Sequence, residues 1–167
     1  SSFVRVLSDL RGFVSAGPVT LAVRARGGGL VGGAPATRRF FGGGANGYRG
    51  LAGRQLSPFA TSADGKVRVP YGGTALLDLS VELRAPVGTW QDLGFGTALF
   101  LDGGDVTDGW ADLDGRHLHW APGAGLRVAT LVGAVRFDVA YRLTRFGPGE
   151  PEAGNRFAYH LSIGEAF

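Results

Sequence analysis

Thr74–Arg84 reads TALLDLSVELR, and its alternation decides the fold. Leu77, Leu79, Val81 and Leu83 fall on one face of an extended chain, and Asp78, Ser80, Glu82 and Arg84 on the other. Successive side chains of a strand point to opposite sides, so this is a strand with one apolar and one charged face. The same period runs through Ala134–Thr144, where Val135, Phe137, Val139, Tyr141 and Leu143 alternate with Arg136, Asp138, Ala140 and Arg142. In Arg156–Phe167, the residues Phe157, Tyr159, Leu161 and Ile163 oppose Ala158, His160, Ser162 and Gly164. Ser2–Ser15, Val19–Gly28, Gln91–Gly103 and Leu118–Leu131 read as four more strands, with Gly or Ala replacing many charges, as at Gly94, Gly96, Ala98, Gly123, Gly125 and Ala129. The reading predicts about seven strands and no helix.

The connections alternate in length. The links at Gly17–Pro18, Pro86–Thr89 and Gly133 are short, whereas Gly29 to about Tyr71, Asp102–Arg116 and Phe146–Asn155 are long. Short turns on one rim and long loops on the other is the pattern of an outer-membrane barrel. A soluble sandwich or lipocalin-like barrel also alternates. Two features oppose it: the polar face carries Asp9, Arg11, Arg24, Arg26, Asp78, Glu82, Arg84, Arg127, Arg136, Asp138 and Arg142, and the apolar face ends in Trp90, Trp120 and Tyr141, as in an interfacial girdle.

Composition narrows the classes further. The chain has 30 glycines without a collagen-like period, 19% charged residues and no cysteine. A disulfide framework and a Cys-ligated metal are therefore excluded. The net charge of +3 comes from arginines spaced singly along strands, without a basic block, so nucleic acid is not an expected partner. No apolar run approaches the ~20 residues of a membrane helix, so membrane crossing would be by strands.

One stretch fits no strand. Arg38–Pro58, RRFFGGGANGYRGLAGRQLSP, holds too much glycine for an element interior, yet embeds Tyr48, Arg49 and Gly50. Long ordered loops inside compact domains are commonly functional.

Several motifs, in order along the chain, resemble a known family. FFGGGANGYRGL is similar to the glycine-rich RG loop of the outer-membrane insertase and surface-antigen barrels, the BamA and TamA group. Leu56–Pro58, GGTALLDLSVELRAPV, FGTALFLDGGDV, GAGLRVATLVGAVRFDVAYRL and YHLSIGEAF resemble the blocks that follow it. Leu51 stands where that loop has an aromatic, Tyr48 where it has Val, and Leu131-Val132-Gly133 where a late turn has Pro.

The resemblance implies an all-β fold of antiparallel transmembrane β-barrel strands, forming the C-terminal half of a larger barrel, with the long loop folded into the lumen. Residues 1–167 would be a single, partial barrel domain without POTRA repeats. Seven strands do not make the even count of a closed bacterial barrel, so the remaining strands must come from the same or another chain.

The resemblance also assigns sites. Gly43, Gly44, Tyr48, Arg49 and Gly50 form the lumen loop, and Asp102 and Glu82 are the wall carboxylates that receive Arg49. A guanidinium offers carboxylates a planar fork of donors. Phe157, Tyr159, Gly164 and Phe167 belong to the seam strand, where Gly154 and Gly164 would weaken pairing.

Catalysis and cofactors are not expected. His117 and His119 lack a third ligand and read as rim histidines. Asp102, Asp105, Asp108, Asp112 and Asp114 lack EF-hand spacing and read as a solvated acidic loop. No G-K-[ST] follows GGGANG, and Ser57 has no nucleophile context.

The expected function is assembly or translocation of unfolded outer-membrane or secreted polypeptides at the bacterial outer membrane, in contact with its lipid, without ATP. The alternative is a small structural or pore-forming outer-membrane barrel completed by oligomerisation.

Overall fold

The computed structural model describes residues 2–65, 67–115, 118–130, 133–143 and 155–164. Seven long strands carry it: β1 (Phe3–Ala16), β2 (Val19–Gly32), β5 (Ala75–Trp90), β6 (Leu93–Thr107), β7 (His119–Thr130), β8 (Gly133–Tyr141) and β9 (Phe157–Ile163). They form one antiparallel sheet in the order β1-β2-β5-β6-β7-β8-β9. A separate hairpin, β3 (Phe59–Thr61) and β4 (Arg68–Pro70), sits within the long connection between β2 and β5. Among the described residues the helical pieces are two 3₁₀ turns, Ala36–Arg38 and Trp110–Asp112.

Burial runs opposite to that of a soluble protein. The charged face is inside: Glu82, Asp102, Arg136 and Asp138 are all 0% exposed. The apolar face is outside, with Leu83, Leu99, Leu126, Leu161 and Ile163 exposed. An apolar band of this extent needs a nonpolar surround, and lipid supplies it. The soluble alternative is thereby removed.

The buried apolar cluster lies in the concavity of the sheet. Phe40, Tyr48, Leu51 and Leu56 of the long loop pack against Leu30, Leu76, Phe100, Val106, Ala121 and Ala140 of the wall. The loop doubles back on itself through bridges Phe40↔Gly73 and Gly42↔Leu56, so its tip descends into the lumen.

Several expected boundaries move. The turn placed at Pro86–Thr89 is part of β5, and the chain reverses at Gln91 and Asp92, whose φ angles are 49° and 64°. Pairing with β2 stops at Arg84, so β5 is an edge there and tolerates Pro86, with a register shift between Pro86 and Gly88. Residues 29–32 extend β2 rather than opening the loop. Asp102 and Asp105 lie within β6, so they are not a solvated acidic loop. Gly164 follows β9 with φ 97° and donates to the Ala134 carbonyl at 2.7 Å. Gly154, Phe167 and His117 lie outside the described residues.

Candidate functional site

Sheet register stacks the inward residues into rows. Ser80 faces Asp102; Glu82 faces Phe100, which faces Gly123; Arg84 faces Ala98, which faces Gly125, then Asp138 and His160. Residues far apart in sequence thus present carboxylates and arginines to one volume of the lumen.

The loop tip delivers Arg49 into that volume, 1% exposed. Its Nε donates to Asp102 Oδ2 at 2.7 Å and its Nη2 to Asp102 Oδ1 at 2.8 Å, a two-point fork. Its backbone N–H adds a third bond to Asp102 Oδ2 at 3.0 Å. Nη1 donates to Glu82 Oε2 at 2.6 Å and stands 3.5 Å from Asp138 Oδ2. Ser80 Oγ, itself donating to Asp102 Oδ1 at 2.6 Å, accepts from Nη2 at 3.3 Å. The guanidinium also lies 3.4 Å from the Phe100 ring centroid. Charge-assisted bonds in so dry a place are strong, and a partner removed leaves a charge stranded.

The surrounding wall balances these charges. Glu82 Oε1 accepts from Arg84 Nε at 2.9 Å and Arg127 Nη2 at 3.2 Å, and Asp138 Oδ1 accepts from Arg127 Nη1 at 2.6 Å. Two further arginines clamp the loop backbone from opposite sides. Arg24 of β2 donates to the Asn46 carbonyl at 2.9 Å, and Arg136 of β8 to the Ala45 carbonyl at 2.7 Å. Near the sheet's far edge, His160 Nε2 sits 2.8 Å from the Arg49 carbonyl.

The loop glycines make this descent possible. Gly43 and Gly44 have φ of 93° and 98°, which other residues rarely adopt, and a Cβ on Gly43 would lie 2.4 Å from the Ala52 carbonyl oxygen. Gly50 leaves room for the Tyr48 ring, which would otherwise sit 2.5 Å from a Cβ. Tyr48 is fully buried and packs in the lumenal cluster.

The sequence of residues 1–167 matches the Omp85 superfamily domain over its whole length. The chain belongs to the Omp85 superfamily. No curated protein sequence matches it. In fold it is similar to the crystal structure of BamA from Haemophilus ducreyi lacking POTRA domains 1-3, with a TM-score of 0.73 and 19% identity. That match covers 94% of this chain and 34% of the BamA chain, so the chain spans about a third of that structure's length. Superfamily and fold agree on a bacterial outer-membrane β-barrel.

Within this Omp85 domain the structure brings Arg49 onto both expected wall residues, Asp102 and Glu82. It adds Ser80, Phe100, Arg127, Asp138 and His160, which alternation places on the inner face without saying which of them meet. Gly123 and Gly125 were legible only as small residues on the polar face. A Cβ on Gly123 would lie 2.2 Å from the Phe100 ring, and one on Gly125 1.9 Å from Asp138 Oδ1. The missing side chains therefore make the floor on which Phe100 and the Asp138–Arg127 pair rest. Phe157 and Tyr159 point outward from β9 at 48% and 61% exposure, away from the Arg49 site, and Tyr141 packs on Phe157 with ring centroids 5.0 Å apart. Half-buried His119 opposes Gly104 across β6 and β7.

Proposed function

We propose that the chain is the lumen-plugging, C-terminal part of an outer-membrane barrel that inserts or translocates polypeptides without ATP and without covalent chemistry. The observation that supports it is the Arg49 site: a loop hydrogen-bonded to five of the seven wall strands fills the inner side of the sheet rather than leaving it open. The large sheet is open at its two outer strands, β1 and β9. Edges in lipid must be paired, and an edge that pairs can also receive an incoming strand.

Strand direction argues against completion by identical copies. Seven alternating strands send β1 and β9 the same way through the membrane. A second copy in the same orientation would meet β9 with a parallel β1, whereas antiparallel closure calls for an odd number of further strands. We assign those strands to a larger polypeptide of which residues 1–167 are part.

The test is depletion of the full-length protein in its own cells, reading the folding of other outer-membrane barrels by heat-modifiable gel mobility and the surface display of secreted chains. Normal levels of both after depletion would sink the reading. ATP independence is read by supplying unfolded barrel protein to vesicles containing only the purified full-length protein.

A further inference from the structure

We infer that His160 is a positioning residue that couples the seating of the Arg49 loop to the position of the edge strand β9. His160 lies on the lumenal face of β9, half-buried, and its Nε2 is 2.8 Å from the Arg49 carbonyl oxygen. A carbonyl only accepts, so Nε2 carries the proton and donates. The same residue whose side chain holds Asp102 and Glu82 therefore holds the edge strand through its main chain.

A cavity of about 250 Å³ separates loop residues Gly50, Leu51, Ala52 and Gln55 from β9. Packing across that gap is thin, and the His160 bond spans it. The second polar link is indirect: Ser162 Oγ accepts from Arg136 Nε at 2.9 Å, and Arg136 holds Ala45 and Asn46. Over the described residues β9 is also the shortest strand of the large sheet, with seven register pairs to β8 against fourteen between β1 and β2. A short edge strand opens most readily, and displacement of β9 from β8 takes the donor away from Arg49. Loop release and strand displacement then favour each other, as linkage requires of two events sharing one bond. The coupling is mechanical and does not depend on whether the barrel inserts polypeptides.

Hydrogen exchange of the full-length protein in phospholipid vesicles tests it, read on peptides covering residues 43–56 and 157–163. His160→Ala is expected to speed exchange in both peptides by about fivefold, the loss of one ordinary hydrogen bond. His160→Gln, whose amide nitrogen reaches near the Nε2 position, restores protection in both. If His160→Ala does not fold, His160→Asn, one methylene shorter, is compared with His160→Gln for the same split. Faster exchange in β9 alone, in neither peptide, or equally in the Gln variant overturns the inference.

Discussion

Phe100 presents its ring face to the Arg49 guanidinium at 3.4 Å, and the ring occupies the space that a side chain on Gly123 would fill. One glycine on β7 thus sets the height of the platform on which the loop arginine rests. The expected cost of Gly123→Ala is about 1–3 kcal/mol, because its Cβ would also lie 2.5 Å from the Val139 carbonyl oxygen and cannot be absorbed by ring motion alone. Phe100→Leu keeps apolar volume and loses the ring face, costing about 0.5–2 kcal/mol. Both are measured as the temperature at which the folded gel band disappears. An unchanged Gly123→Ala variant would remove the platform argument.

Arg49→Ala leaves Asp102 and Glu82 buried without their guanidinium, an expected loss of about 3–5 kcal/mol. Arg49→Lys keeps the charge but cannot bridge two carboxylates with a planar fork, so it recovers only part. Arg54 stacks on Phe41 at 4.0 Å outside this network, and Arg54→Ala is expected to cost under about 1 kcal/mol. Asp102→Asn combined with Arg49→Ala should cost less than the two changes summed, since they break the same bonds. Equal defects for the Arg49 and Arg54 variants in a complementation assay would end the special role of Arg49.

The strands were legible because alternation is a local property: Leu77 to Leu83 declare their face without reference to any neighbour. The Arg49 contacts to Asp102 and Glu82 came from motif resemblance, not from spacing. Register was not legible, because nothing local says that Gly125 faces Asp138 and Asp138 faces His160. Pro86 and Gly88 misled in the opposite way. They are ordinary turn formers, but β5 has already lost its β2 neighbour at Arg84 and carries them inside a strand.

The reversal that β5 uses instead is locally strained. Gln91 and Asp92 both have positive φ, the geometry that favours Asn-Gly in a two-residue hairpin. Gln91→Asn with Asp92→Gly is expected to stabilise the barrel by up to about 1 kcal/mol. Thermal unfolding followed by gel mobility checks the sign, and destabilisation would mean that the tip makes contacts the hairpin geometry does not reveal.

Salt separates the buried arginines from the exposed ones. Arg49 and Asp102 have side-chain exposures of 1% and 0%, whereas Arg11 and Asp9 have 46% and 27%. Raising salt from 0.1 to 1 M shortens the screening length from about 10 Å to about 3 Å, which acts on charges that ions can approach. The chain contains no cysteine, so Leu51→Cys gives one buried reporter of loop release. Its thiol-labelling rate in the full-length protein, made cysteine-free elsewhere, should change by less than about twofold across that range. Adding Asp102→Asn should accelerate labelling at both salt concentrations, because the loop then loses its two-point fork. A steep rise with salt in the otherwise unaltered protein would mean that water and ions reach Arg49, and that its hold on the wall is weaker than its burial indicates.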